Sequence, residues 1–223
     1  MPKILLSGQE SFKKVGMKKP KIKICGMRDF ENVKDVLKYK PDFMGFIFFE
    51  GSKRFVTDEE LEKLLKLNFG PTKRVGVFVN EATDKIIEKF EKGYFDLVQL
   101  HGDESPEEIL PLKYQGIETI KVFSVGEDFD PKILEQYESV VDYFLFDTKG
   151  VHRGGNGYKF DWEILNGLEI KLPYFLSGGL EVGDMHNSQL SSMPNLMALD
   201  YNSKIELLPG LKDLDEVKKI LTD

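Results

Sequence analysis

From residue 21 onward the chain alternates between two periods. Short runs of apolar, β-branched or aromatic residues fall at 22–25, 43–48, 74–79, 97–100, 119–123, 143–146, 174–176 and 196–199. Stretches of helical period lie between them, at 32–38, 58–67, 83–92, 106–112, 131–136 and 161–166. A poorly defined one follows at 182–190, and 213–221 closes the chain. Helix starts carry the expected chemistry. Thr57 stands three residues ahead of Glu60, a capping-box arrangement, and Ser105-Pro106-Glu107-Glu108 combines a cap, a first-turn proline and acids facing the dipole. The strand runs are almost continuously apolar, as in Phe43-Met44-Gly45-Phe46-Ile47-Phe48, which predicts burial on both faces and so a parallel sheet. Eight such strands, each followed by a helix, predict an α/β fold with a single-domain (β/α)8 TIM barrel over 21–223. An open doubly wound sheet would place a phosphate-binding glycine turn after its first strand, where this chain has Cys25-Gly26-Met27-Arg28.

Composition narrows the field. Of 223 residues, 41% are hydrophobic and 31% charged, which suits a globular chain with a large core. The net charge of −7 offers no general attraction to nucleic acid or an anionic membrane, so any phosphate recognition must be local. No apolar run approaches the roughly 18 residues that span a bilayer. One cysteine excludes a disulfide framework or multi-cysteine zinc site and fits a reducing, cytoplasmic setting. His101, His152 and His186 lack paired metal-ligand spacing, so no metal is expected. Residues 1–20 carry five lysines against one glutamate and read as a solvated N-terminal extension, with Met17 as an alternative start. The hydrophobic pattern marks no partner surface, which leaves a monomer as the expectation.

In a barrel of this kind, chemistry gathers at the C-terminal ends of the strands. Those positions hold Cys25, Arg54, Asn80, His101, Asp103, Asp147, Ser177-Gly178-Gly179, Asp200 and Asn202-Ser203-Lys204. Each has a plain alternative. Cys25 reads as a small buried hydrophobe as well as a reagent, Asp147 as a turn cap, and Arg54 as a solvated cation. His101 reads as a structural histidine, and Asp200 as an anchor of the barrel mouth. Phe46, Phe48 and Phe78 read as core.

The ordered set resembles the phosphoribosylanthranilate isomerase family. The resemblance is carried by Lys23-Ile24-Cys25-Gly26, Gly76-Val77-Phe78-Val79-Asn80, Gln99-Leu100-His101-Gly102-Asp103-Glu104 and Phe146-Asp147-Thr148. Gly154-Gly155-Asn156-Gly157, Phe160-Asp161-Trp162, Ser177-Gly178-Gly179-Leu180 and Pro209-Gly210-Leu211-Lys212-Asp213 continue it in family order. It implies an isomerase of tryptophan biosynthesis that converts N-(5-phosphoribosyl)anthranilate to its 1-deoxyribulose form by an Amadori rearrangement, without cofactor. By that resemblance Asp147 is the acid that opens the furanose and Cys25 the base that removes the C2 proton. Arg54 binds the anthranilate carboxylate, while His101 and Asp200 contact substrate. Gly178, Gly179, Ser203 and Lys204 hold the phosphate, and the glycine stretch at 154–157 reads as a loop over the site or as another phosphate cradle. The family commonly has Ser-Pro-Arg and Ser-Ser-Gly where this chain has Ser52-Lys53-Arg54 and Asn202-Ser203-Lys204. If that glycine has positive φ, Lys204 must take a costly backbone or a different turn.

Acid–base work near neutrality requires the thiol and the carboxyl to shift in opposite directions from about 8.5 and 3.9. The apolar run Tyr143-Phe144-Leu145-Phe146 predicts that Asp147 is raised, and the nearby helix start and Arg28 predict that Cys25 is lowered. Two other readings stay open. An indole-glycerol-phosphate synthase would want a lysine at a strand end, and a non-catalytic phosphate-binding barrel would keep the glycines and lose the acid–base pair.

Overall fold

The computed structural model describes residues 19–148 and 162–222. Eight parallel strands close into a barrel in sequence order: β1 Lys21–Ile24, β2 Phe43–Ile47, β3 Lys73–Phe78, β4 Leu97–Leu100, β5 Thr119–Val125, β6 Tyr143–Thr148, β7 Tyr174–Leu176 and β8 Leu196–Tyr201. β8 pairs with β1 to seal the ring, with Lys23 opposite Asp200 in the register. The intervening helices are α1 Phe30–Leu37, α2 Asp58–Leu64, α3 Thr83–Glu91, α4 Pro106–Tyr114, α5 Ile133–Tyr137, α6 Glu163–Asn166 and α7 Ser188–Ser192, with α8 Leu214–Thr222 at the end. The expected barrel is present, and the ill-defined stretch at 182–190 resolves into a 3-10 turn, Val182–His186, followed by α7. Residues 1–18, His152-Arg153, the Gly154-Gly155-Asn156-Gly157 loop and the Asp161 helix start lie outside the described residues.

Both faces of the sheet are buried, which is why the strands read as unbroken apolar runs. Alternate residues form two cores. Inside the ring, Phe43, Val75, Val77, Leu97, Ile120, Val122, Leu145, Phe175 and Ala198 fill the barrel, with Cys25 packed on the same cluster. Phe43 meets Phe175 edge-on at 5.2 Å between ring centres, a geometry the aromatic quadrupole favours. Outside, Ile22, Ile24, Phe46, Phe78 and Phe144 belong to the shell between sheet and helices, where Val33, Leu61 and Leu112 are buried. The caps form as the sequence indicates. Thr57 and Ser105 each complete a capping box with Glu60 and Glu108, worth about 1 kcal/mol apiece.

One element was not expected. After β8 the chain makes a 3-10 turn, Ser203–Ile205, and then a two-stranded antiparallel hairpin of β9 Glu206–Leu208 and β10 Leu211–Lys212. Asn32 of α1 ties this hairpin down, donating to the Lys212 carbonyl at 2.9 Å and accepting from the Lys212 amide at 2.8 Å. The hairpin brings Glu206 and Lys212 back over the barrel mouth.

Candidate active site

A cavity of about 610 Å³ opens at the C-terminal ends of the strands. Cys25, Arg54, His101, Asp147, Gly178, Gly179, Asp200, Ser203 and Lys204, the candidate site residues, all line it. β1 and β6 stand three strands apart around the ring, so the thiol and the Asp147 carboxyl approach the space from different sides.

Asp147 is 9% exposed on a strand whose neighbours Leu145 and Phe146 are fully buried. Loss of solvent pushes its carboxyl up from 3.8 to about 6, although the Thr148 amide, donating to Oδ1 at 2.9 Å, and Ser177 pull the other way. This is the direction expected. His101 lies beside it, Nε2 to Oδ2 at 3.6 Å. With Gln99 Nε2 donating to His101 Nδ1 at 3.2 Å, the ring proton sits on Nε2 and faces the acid.

The surroundings of Cys25 differ from the expectation in two ways. Arg28 does not point at the sulfur; its guanidinium turns outward to Glu60 at 3.0 Å. Burial instead holds the thiol above its ordinary value, with Lys23 opposing that rise. Lys23 is fully buried and donates to Asp200 Oδ2 at 2.9 Å. Burial works against its ammonium, yet Asp200 and Cys25 outweigh that and hold Lys23 above its usual range. Space for the sulfur comes from the neighbouring strand: a Cβ on Gly45 would lie 2.7 Å from Cys25 Sγ.

Arg54 is also held by an unforeseen partner. Its Nε donates to Glu206 Oε1 at 2.9 Å and its Nη2 to Oε2 at 2.6 Å, a bidentate pair in which Glu206 is almost fully buried. Glu206 accepts a further bond from Lys212 Nζ at 2.7 Å. Burial disfavours the Glu206 carboxylate, but Arg54 and Lys212 together keep it below the usual carboxylate range. Burial brings the Lys212 ammonium down to about 8. So although Lys53 replaces a loop-stiffening proline, an ion pair to the hairpin aims Arg54.

The turns after β7 and β8 line the cavity between the strands that carry Asp147 and Cys25. Gly178 and Gly179 have φ of +92° and +68°, and a Cβ on Gly178 would collide with Thr148 Oγ1 at 2.1 Å. Both requirements exclude larger residues there. Lys204 avoids the strained backbone, since it sits inside a 3-10 turn and not among the positive-φ residues. Its ammonium lies 3.4 Å from Glu181. Phe46, Phe48 and Phe78 are core, whereas Phe49, 40% exposed, lines the cavity. It stands one residue after Phe48 and two beyond the end of β2.

The loops after β3 and β4 rest on a buried carboxylate. Glu104 accepts from the Asn80 and Gly102 amides at 2.8 and 3.0 Å and from Lys121 Nζ at 2.8 Å. Asn80, at φ +51°, accepts from the Asp103 amide at 2.7 Å. Together these bonds hold the segment that carries His101. Among the described residues, no group of three or more His, Cys, Asp or Glu side chains is placed to hold a metal ion. Nor is any helix there long and apolar enough to cross a membrane.

Residues 22–223 match the family model for N-(5'-phosphoribosyl)anthranilate (PRA) isomerase. The N-(5'-phosphoribosyl)anthranilate isomerase of Parabacteroides distasonis is 39% identical over 204 residues, covering 90% of this chain and 91% of its own. That of Phocaeicola vulgatus is 40% identical over 194 residues, covering 86% and 91%. The crystal structure of phosphoribosyl anthranilate isomerase from Thermotoga maritima superposes with a TM-score of 0.80 at 30% identity, covering 91% of this chain and 97% of that one. A phosphoribosyl anthranilate isomerase in complex with reduced 1-(o-carboxyphenylamino)-1-deoxyribulose 5-phosphate gives 0.76 at 29% identity, with the same coverage. A barrel with its thiol, carboxyl and glycine turns at one mouth, matched along nearly its whole length, belongs to the phosphoribosylanthranilate isomerase family.

Proposed function

We propose that this chain isomerises N-(5-phosphoribosyl)anthranilate to 1-(2-carboxyphenylamino)-1-deoxyribulose 5-phosphate, with Asp147 as general acid and Cys25 as general base. The observation that carries the reading is the joint placement of a thiol and a carboxyl raised to about 6 on one cavity. Protonated Asp147 gives its proton to the furanose ring oxygen as the C1–oxygen bond breaks, and the anilino nitrogen supplies the electron pair of the resulting Schiff base. At pH 7 roughly a tenth of an acid with a value near 6 retains its proton. The Cys25 thiolate then takes the C2 proton, and the C–H electrons move toward nitrogen to give the enolamine. Protonation at C1 and loss of the C2 hydroxyl proton complete the ketone. These steps consume no cofactor.

Arg54 offers the edge of its guanidinium not used by Glu206 to the anthranilate carboxylate, and Phe49 walls the aromatic ring. His101 and Asp200 contact the reacting sugar. The amides at Gly178 and Gly179, with Ser203 and Lys204, receive the phosphate. A cytoplasmic setting is the reading that accompanies this reaction in tryptophan synthesis. We take it as a monomer, which sedimentation analysis checks. The direct test of function is to follow the anthranilate fluorescence of freshly made phosphoribosylanthranilate with purified protein. Acceleration over the buffer rate, with the ketose as product, supports the reading; binding without conversion rejects it.

A further inference from the structure

We propose that Lys23 is a positioning residue for catalysis: its ammonium is the fixed counter-charge against which Cys25 becomes a thiolate, and Asp200 sets how much of that charge the sulfur receives. The inference rests on the assignment of Cys25 as base.

The geometry starts from strand parity. Lys23 and Cys25 are two residues apart on one edge of the ring, so both turn inward, and the Lys23 side chain has no solvent exposure. A buried ammonium costs several kcal/mol unless it is paired. Its partner is the Asp200 carboxylate at 2.9 Å, supplied by β8 at the residue directly opposite in the register. Asp200 Oδ1, buried at the cavity, has no hydrogen-bond partner among the described residues. The carboxylate is therefore anchored at one oxygen only, and because Lys23 and Cys25 are both buried on the inner side of one strand edge, two residues apart, the ammonium charge bears on the thiol from within the ring.

Counting charge around the thiol sharpens the point. Lys23 from β1, Lys212 from β10 and Arg54 from the loop after β2 contribute three cations. Asp200 from β8 and Glu206 from β9 contribute two anions. Asp147, facing from β6, is sensitive to both Asp200 and Lys23. With Asp147 in its protonated, reactive form one cation is in excess, and a thiolate at Cys25 would cancel it. The acid must keep its proton while the thiol has lost its own, so the reactive pair is a minority form. Any contact that favours the thiolate multiplies that minority.

Cys25 is the only cysteine, so the pH dependence of iodoacetamide alkylation reports this thiol alone and needs no turnover. Asp200→Asn frees the Lys23 charge toward sulfur and should lower the alkylation midpoint. Lys23→Met in the Asp200→Asn background, where no buried carboxylate is left unpaired, should raise it, with alkylation at pH 7 at least about tenfold slower. The alkaline-side ionisation in the pH profile of kcat/KM should move in the same directions. Opposite movements establish the counter-charge. Equal midpoints in wild type and both variants, or movement of both in one direction, overturn it. Should the double variant not fold, an unlowered midpoint in Asp200→Asn alone overturns it. Normal alkylation shifts in a protein without isomerase activity would locate the failure in the function and not in this pairing.

Discussion

Replacing Asp147 by Asn should make the protein more stable above pH 6 while removing its activity. The carboxyl is raised from 3.8 to about 6 chiefly because it is buried. A carboxyl held above its unfolded value binds its proton more tightly in the fold. Its contribution to stability is therefore complete below pH 3.8 and is lost as pH rises through about 6. The gap corresponds to about 3 kcal/mol, at about 1.4 kcal/mol per pH unit. Asparagine keeps an oxygen for the Thr148 amide, which now donates to Asp147 Oδ1 at 2.9 Å, and removes only the ionisation. Urea unfolding of wild type and variant, measured in steps from pH 4 to pH 8, isolates that difference because every other titrating group is shared. The two should coincide near pH 4 and diverge to about 3 kcal/mol at pH 8. For a chain of this length that is a rise in Tm of about 6–12 °C. Turnover in the same variant should fall about 10²–10⁴-fold. Parallel stability curves across the range would show that Asp147 is not held as an expensive carboxylate, and the argument for its role as acid would go with it.

Cys25→Ala should lower kcat by about 10²–10⁴ with the far-UV circular dichroism unchanged, and a near-native rate would remove the thiol from the mechanism. Gly45→Ala places a methyl 2.7 Å from Sγ where ordinary contact begins at 3.4 Å, so the atoms must part by about 0.7 Å. A displacement of that order should reduce kcat up to about 10²-fold and cost about 1–3 kcal/mol in unfolding; wild-type kcat would show that the sulfur has room to move. Arg54→Ala should raise KM about tenfold or more, a loss that Lys at this position does not restore because it lacks the planar fork. Steady-state kinetics of the two variants decide it. Lys121→Met strips Glu104 of its buried cation and should cost about 3–5 kcal/mol in unfolding; a change below about 1 kcal/mol would mean that backbone amides alone sustain Glu104.

What could be read from the sequence was whatever burial writes in a regular period. Eight strands buried on both faces leave apolar runs, and Thr57 and Ser105 announce their helices because a cap needs particular side chains at a fixed spacing. Lys23 was hidden by the same logic. In Lys21-Ile22-Lys23-Ile24 the alternation suggests lysines toward water, yet Ile22 and Ile24 face the helices and Lys23 points into the ring. Periodicity reports which residues share a face but not which face meets solvent. Arg28, in the loop before α1, is the cation that the local sequence suggests for the thiol, yet it turns outward to Glu60. The hairpin after β8 was invisible for another reason. Leu207 and Leu208 are 63% and 65% exposed, so its apolar residues obey no burial pattern, and Glu206 meets Arg54 across 152 positions with nothing local to signal it.

The Arg54–Glu206 pair bears on which molecules the site would refuse. Glu206 takes Nε and Nη2, leaving Nη1 for the cavity that Arg54 lines. Under the proposed role of Arg54, a guest carboxylate would meet a cation already matched by a resident anion. Discrimination against an aniline or a benzamide analogue then comes from an unfilled hydrogen-bonding edge, worth about 1.5–3 kcal/mol to a charged partner, and not from a stranded charge. Selectivity of that kind is short-ranged. It should survive high salt, and it depends on the angle at which the hairpin presents Glu206 more than on the number of positive charges around the mouth.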